Sequence, residues 1–226
     1  MPIADNSRLQ YFVDIVFCID MTSDMTARES LIEFMKRGKE NFRESLTKHD
    51  CNRSVNLRVR FILFRDYRCD NDPMVESKFF NIDTEYEDAI SFLEAQPYPS
   101  GGGDAAENSL EALALAMKSD WVKTPGVRRY VIVLMTDGHA KPLGECKECP
   151  GYPADMPASY DELLALWNGM ENRTKRLILF APNVSPYTDM ALSDEAYSVF
   201  HGPTELGMGC NELDFDIVKN LIWCCI

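Results

Sequence analysis

VDIVFCIDMTSDMT, residues 13 to 26, runs a largely apolar stretch into Asp20 and follows it at once with Thr22, Ser23 and Asp24. An apolar run of this length that stops abruptly at polar residues reads as a strand buried inside a sheet. Its carboxyl end then carries a cluster of oxygen donors. The same design returns in RRYVIVLMTDG, residues 128 to 138, where Tyr130 to Met135 are almost wholly apolar and Thr136-Asp137-Gly138 follow. Two buried strands therefore end in acidic, hydroxyl-bearing loops.

Working outward, strand-like runs alternate with amphipathic helical stretches. The pattern predicts strands over 12–20, 56–66, 128–138 and 176–182, a weaker strand over 196–202, and a short antiparallel neighbour over 77–82. Helices are expected over 27–46, 84–96, 105–121, 160–171 and 211–225. In the first of them Leu31, Phe34, Met35, Phe42 and Leu46 fall on one face. The helix from 105 is entered through Gly101 to Gly103, with Asp104 and Glu107 placed at its positive N-terminal end. The expected fold class is α/β: a Rossmann-like three-layer sandwich with a mostly parallel central sheet, one antiparallel edge strand and helices on both faces. One domain over 1–226 is expected, its core spanning about 11–226, with a loop insertion at 139–159 that carries Pro142, Pro150, Pro153, Pro157, Cys146 and Cys149.

A formal net charge of −13 disfavours a nucleic-acid or anionic membrane partner, since both would repel the chain. The N-terminal MPIADNSRLQ lacks the order of a secretory signal, and no apolar stretch reaches the length of a membrane span. Of the eight cysteines, Cys18, Cys51, Cys69, Cys210 and Cys224 are scattered without a small-scaffold spacing. Reduced thiols and a cytoplasmic setting are the expectation.

In an open sheet of this kind, ligands bind beyond the carboxyl ends of the strands where strand order reverses. Asp20, Thr22 and Asp24 follow the first strand, Asp104 follows the glycine turn, and Asp137 follows the central strand. These are hard oxygen donors of the type that suits magnesium, manganese or calcium.

The chain resembles a von Willebrand factor A domain carrying a metal-ion-dependent adhesion site, or MIDAS. The family's D-x-S-x-S motif is matched loosely by Asp20-x-Thr22-x-Asp24 and its T-D-G by Thr136, Asp137 and Gly138. The middle motif is similar to a G-G-G-D-x-P-E variant, here Gly101-Gly102-Gly103-Asp104-Ala105-Ala106-Glu107, with alanine in place of proline. Phe64-Arg65-Asp66-Tyr67 matches an F-R-D-Y segment of the same branch. The resemblance covers 11–138 by motif and the remainder by order of elements. It implies a non-enzymatic, protein-binding or adaptor module with a divalent ion, foremost Mg2+, at Asp20, Thr22, Asp104 and Asp137, the last mainly through water. Protein partners would dock at or near that ion, and the closing helix is the element that shifts in related domains.

Four carboxylates around one divalent ion leave the site anionic, so a partner is expected to dock through Lys, Arg, hydroxyl or carbonyl groups rather than a carboxylate. Asp24 has two readings: a fifth ligand, or the cap of the helix at 27. The competing function is a magnesium-dependent phosphohydrolase or phosphotransferase of the haloacid-dehalogenase type, with Asp20 as nucleophile and Asp137 holding the metal. That family needs a second Asp or Thr-Gly-Thr after the nucleophile, which Ser23 and Asp24 do not supply. Cys146 and Cys149 suggest zinc, with His139 as a further ligand, but without a second pair they read as loop cysteines. Ser109 is expected to be solvated, Asp66 and Arg65 to pair structurally, and Lys36, Arg37 and Lys39 to form a solvated helix face.

Overall fold

A computed structural model of the chain describes residues 10–22, 25–37, 39, 54–101, 103, 106–193, 198–210 and 220–221. Its centre is β1 (Gln10–Asp20), whose alternate side chains point to opposite faces and are buried on both. Val13, Ile15, Phe17 and Ile19 face one apolar cluster; Val16 and Cys18 face the other. The first layer is supplied by α1 (Ala27–Lys36) and α2 (Tyr86–Glu94), the second by α3 (Ser109–Met117), α4 (Tyr160–Gly169) and α5 (Tyr187–Leu192). A strand covered on both faces has no use for polar alternation, which is why its sequence is a nearly continuous apolar run.

The other strands are β2 (Ser54–Phe64), β3 (Met74–Glu76), β4 (Phe80–Asn81), β5 (Ala106–Glu107), β6 (Val127–Met135), β7 (His139–Ala140), β8 (Lys175–Pro182) and β9 (Val199–Thr204). Seven of the nine form one sheet in the order β3-β2-β1-β6-β8-β9, with β4 also pairing β2. Every pairing is parallel except those of β3 and β4 with β2. The expected antiparallel edge is present but divided in two: Ser77 interrupts it, its Oγ accepting the Phe61 N–H at 2.8 Å while its own N–H donates to Phe61 O at 2.9 Å.

Strand order reverses at β1, which lies between β2 and β6, so the crevice prepared for a ligand is at the carboxyl ends of β1 and β6. In the amino-terminal half of β1 lies Asp14, 1 % exposed, bound in fork geometry by Arg58 (Nε to Oδ1 2.7 Å, a terminal nitrogen to Oδ2 2.6 Å) and capped by the Val122 N–H at 2.7 Å. Gly126, at the entry to β6, has a φ of +146°, and a Cβ there would lie 2.8 Å from Gln10 O. Only glycine lets the chain approach β1 this closely.

The expected helix over 105–121 is shorter. Ala106 and Glu107 instead form β5, which pairs in parallel with β7 as a separate two-stranded ribbon. A two-residue strand has no periodicity to read, so neither half was foreseen, and nor was α5. The expected helices over 27–46 and 211–225 fall partly outside the described residues.

Candidate metal centre

Because Ile19 and Met135 are paired across β1 and β6, the next residue of each strand brings Asp20 opposite Thr136. The Thr136 hydroxyl donates to Asp20 Oδ2 at 2.6 Å. On the other carboxylate oxygen, Oδ1, converge the Thr22 hydroxyl at 2.7 Å and the Thr22 N–H at 3.0 Å, an Asx-type turn that bends the chain directly after the strand. The Thr136 oxygen in turn accepts the Gly138 N–H at 3.1 Å. Asp20 and Thr136 are wholly buried, and Thr22 and Asp137 nearly so. Burial pushes the Asp20 carboxyl up to about 6; the donors from Thr136 and Thr22 pull against it, and the Asp137 charge adds to the rise.

Asp137 is held by a segment that the sequence reading passed over. Its Oδ2 accepts the Gly209 N–H at 2.6 Å and its carbonyl accepts the Gly207 N–H at 3.1 Å. Gly209 O is then bonded by both the N–H and the hydroxyl of Thr26, at 3.1 and 3.0 Å, and the Thr204 hydroxyl donates to Thr136 O at 2.9 Å. Residues 204–210 thus clip the loop after β1 to the loop after β6. The signal was present in Gly207-Met208-Gly209: both glycines have positive φ, +69° and +75°, which lets consecutive N–H groups turn toward one acceptor residue.

The ribbon β5–β7 ties the chain before α3 to the chain that follows Asp137. Glu107 lies in it, not in the first turn of a helix, and is 3 % exposed; its Oε2 meets no hydrogen-bond donor among the described residues. Burial first, then the charges of Asp20 and Asp66, push its carboxyl up to about 9, against the pull of Lys141. Ser109 is wholly buried rather than solvated: its Oγ is 2.8 Å from the Tyr187 hydroxyl, which also donates to Gly138 O at 3.2 Å. Asp66 forms a buried ion pair with Lys141, 3.4 Å apart. Arg65 spans the loops instead, Nε reaching Met21 O at 3.2 Å and a terminal nitrogen reaching Asp72 O at 3.3 Å.

Of the five expected ligands, Asp20, Thr22 and Asp137 are brought together at the strand-order reversal. Asp24 and Asp104 lie outside the described residues. His139 is exposed on β7. Cys146 is buried with its thiol against the Asn108 side chain, and Cys149 is half-buried. Among the described residues, no three His, Cys, Asp or Glu side chains converge on a common point.

The donor set nevertheless fits a hard divalent cation. Both threonine hydroxyl hydrogens are spent on Asp20; the Thr136 oxygen also accepts the Gly138 N–H, which leaves the Thr22 oxygen and Asp20 Oδ2 as acceptors with lone pairs to offer. Beside the clip opens a shallow concavity of about 550 Å³ lined by Met25, Glu29, Tyr98, Pro99 and Met208, of which Tyr98 and Met208 are exposed.

No protein-family model matches the chain, and no curated protein matches it. Among solved structures it is similar to proximal thread matrix protein 1 from the mussel byssus, described with a zinc-occupied MIDAS motif. That likeness has 13 % identity and a TM-score of 0.49, and covers 96 % of this chain and 48 % of the other. It is also similar to the pilus adhesin SpaC from Lactobacillus rhamnosus GG in an open conformation, with 18 % identity and a TM-score of 0.39, over 59 % of this chain. The chain spans about half the length of the first and 15 % of the second.

Proposed function

We propose that the chain is a non-enzymatic protein-binding module of the von Willebrand factor A type. Its divalent-cation centre, with Mg2+ the foremost ion, is built on Asp20, Thr22 and Asp137, and extends to Asp104 and Asp24. The observation that carries the reading is the Asp20 carboxylate held by Thr22 and Thr136 at the reversal of strand order. When bound, the ion supplies an electrophilic point at the surface of the crevice. Asp20 and Thr22 hold it, Asp137 orients water on it, and the 204–210 clip fixes Asp137.

A protein partner docks across the concavity beside the centre, where exposed Tyr98 and Met208 offer apolar contact and the acidic surroundings select Lys, Arg, hydroxyl or carbonyl groups. A cytoplasmic setting belongs to the same reading; none of the five cysteines among the described residues is in a disulfide. The phosphohydrolase alternative gains nothing from the geometry. That chemistry needs a second Asp or a Thr-Gly-Thr after the nucleophile, which Ser23 and Asp24 do not supply, and buried Lys141 is ion-paired with Asp66.

The test is calorimetric titration of the chelator-stripped protein with Mg2+, Ca2+ and Mn2+, beside an Asp20→Ala, Asp137→Ala double variant. Saturable binding that the double variant loses is the expected result. Absence of binding by the parent protein, or binding that survives in the variant, overturns the reading.

A further inference from the structure

We propose that Cys146 and Cys149 are a dithiol modification site, closing reversibly into a disulfide by exchange with a small-molecule disulfide of the glutathione class. Neither residue belongs to the cation centre.

The chain from Pro142 to Tyr152 is a run of turns, closed by the Glu145 N–H on Pro142 O, the Lys147 N–H on Gly144 O, the Cys149 N–H on Cys146 O and the Tyr152 N–H on Cys149 O, at 3.1, 3.2, 2.8 and 3.2 Å. The two cysteines stand at the ends of the third. The end Cα atoms of such a turn lie less than about 7 Å apart, and a disulfide spans about 4.4 to 6.8 Å. Where the chain coils this tightly, side chains three residues apart also fall on one side. The backbone separation is thus within reach of the bond, and what remains is rotation of two side chains.

Packing on either side holds the turn in place. Tyr152 meets Tyr67 edge-on with ring centres 5.1 Å apart, and its hydroxyl donates to Glu111 Oε1 at 3.0 Å and accepts the Gly144 N–H at 3.2 Å. Within this frame the two thiols differ. Cys146 is wholly buried, its sulfur 3.7 Å from Asn108 Nδ2, whereas Cys149 is half-buried beside exposed Lys147 and Glu148. Burial holds the Cys146 thiol above its ordinary pKa; the Asn108 amide pulls against it, and the neighbouring Cys149 sulfur adds to the rise. A reagent therefore meets Cys149 first, with Cys146 poised to resolve the adduct.

The exchange balances in two steps. Cys149, as thiolate, attacks one sulfur of the reagent; the reagent S–S bond breaks and one reagent thiolate leaves. Cys146 then loses its proton, its sulfur bonds to Cys149 Sγ, and the second reagent thiolate leaves. Both leaving thiolates take up, through solvent, the protons that the cysteines release. Two protein thiols and one reagent disulfide become one protein disulfide and two reagent thiols, the reagent accepting two electrons. Asn108 registers the change: its Oδ1 accepts the Tyr67 N–H at 2.9 Å and its N–H donates to Arg65 O at 3.3 Å, so a Cys146 sulfur turned toward Cys149 leaves the residue that joins β5, α3 and the loop after β2. Cys69 is the competing partner, being exposed and next to Arg68, which is ion-paired with Glu145 at 3.0 Å.

The experiment equilibrates the full chain with mixtures of reduced and oxidised glutathione, quenches with acid, alkylates and digests with trypsin. Lys147 lies between the two cysteines, so peptides 130–147 and 148–173 stay joined only through the disulfide. The parent should yield the joined pair, Cys146→Ser should stop at the glutathione adduct of Cys149, and Cys149→Ser should leave Cys146 unmodified. An unfolded chain must close the short loop for itself, so the equilibrium constant for the joined pair should be about twentyfold higher in the native chain than in urea. The parent measurements stand alone should either serine variant fail to fold. A parent that accumulates the Cys149 adduct without the joined pair, or that joins Cys149 to Cys69, overturns the proposal, as does an equilibrium constant no higher in the folded chain than in urea.

Discussion

Replacing Thr136 by valine keeps the shape of the side chain and removes one hydroxyl. That hydroxyl donates to Asp20 Oδ2 at 2.6 Å and accepts the Gly138 N–H at 3.1 Å, and the site is wholly buried. A hydrogen bond to a charged group contributes about 1.5 to 3 kcal/mol, and one between neutral groups about 1 kcal/mol. The cost therefore depends on whether Asp20 is ionised. In the metal-free protein its carboxyl is raised from 3.8 to about 6, chiefly by burial. Below the lower value the folded and unfolded chains are both protonated and Asp20 adds no pH dependence. Between the two values the unfolded chain sheds its proton while the folded chain keeps it, so stability falls as pH rises. The fall totals roughly 3 kcal/mol at about 1.4 kcal/mol per unit, and levels off above pH 6. Thr136→Val removes a donor that favours the ionised form, so the decline continues to higher pH. Urea unfolding in chelator should show a penalty of about 1 kcal/mol near pH 4.5 and about 2 to 3 kcal/mol at pH 8. Equal penalties at the two pH values would show that Asp20 does not carry its charge against Thr136.

Three further outcomes follow from the same packing. Arg58→Met strips the fork from buried Asp14 and leaves its charge with the Val122 N–H, so chemical denaturation should register a loss of about 3 to 5 kcal/mol at neutral pH; a loss under 1 kcal/mol would contradict the pairing. Gly126→Ala forces a Cβ to within 2.8 Å of Gln10 O at a φ of +146°. It should cost more than about 1 kcal/mol by the same assay, and a neutral or stabilising effect would mean that β6 enters along another path. Tyr187→Phe removes the hydroxyl shared by Ser109 Oγ and Gly138 O, with an expected loss of about 1 to 3 kcal/mol. An unchanged midpoint would show that those groups find other partners.

The buried strands were legible because burial on both faces writes itself as a continuous run of Val, Ile, Leu and Phe. β1, β6 and β8 were read to within a few residues, and the polar residues that stop β1 and β6 named the crevice. What escaped the sequence was whatever lacks a period or contradicts a residue type's habit. Ala106-Glu107 and His139-Ala140 are too short to alternate, so Glu107 was assigned to a helix that begins only at Ser109. Lys141 is 1 % exposed, and nothing in a single lysine announces that it will be buried against Asp66. Ser109 looked solvated because its partner, Tyr187, lies 78 residues away on a helix of six. The 204–210 clip was readable in principle from its paired glycines, but its target, Asp137, could be known only from the fold.

The position of β1 in the sheet also matters while the chain is being made. Of the described strands it comes earliest in the chain and lies at the centre of the sheet, yet Tyr11 pairs with Val127, 116 residues later. At a synthesis rate of about 5 to 20 residues per second, one edge of an almost wholly apolar strand stays open for roughly 6 to 23 s before β6 arrives to close it. During that interval VDIVFCID can pair with the same segment of a neighbouring nascent chain. Ribosome-bound chains halted before Val127 should therefore demand a holding chaperone, and chains extended past Met135 should release it.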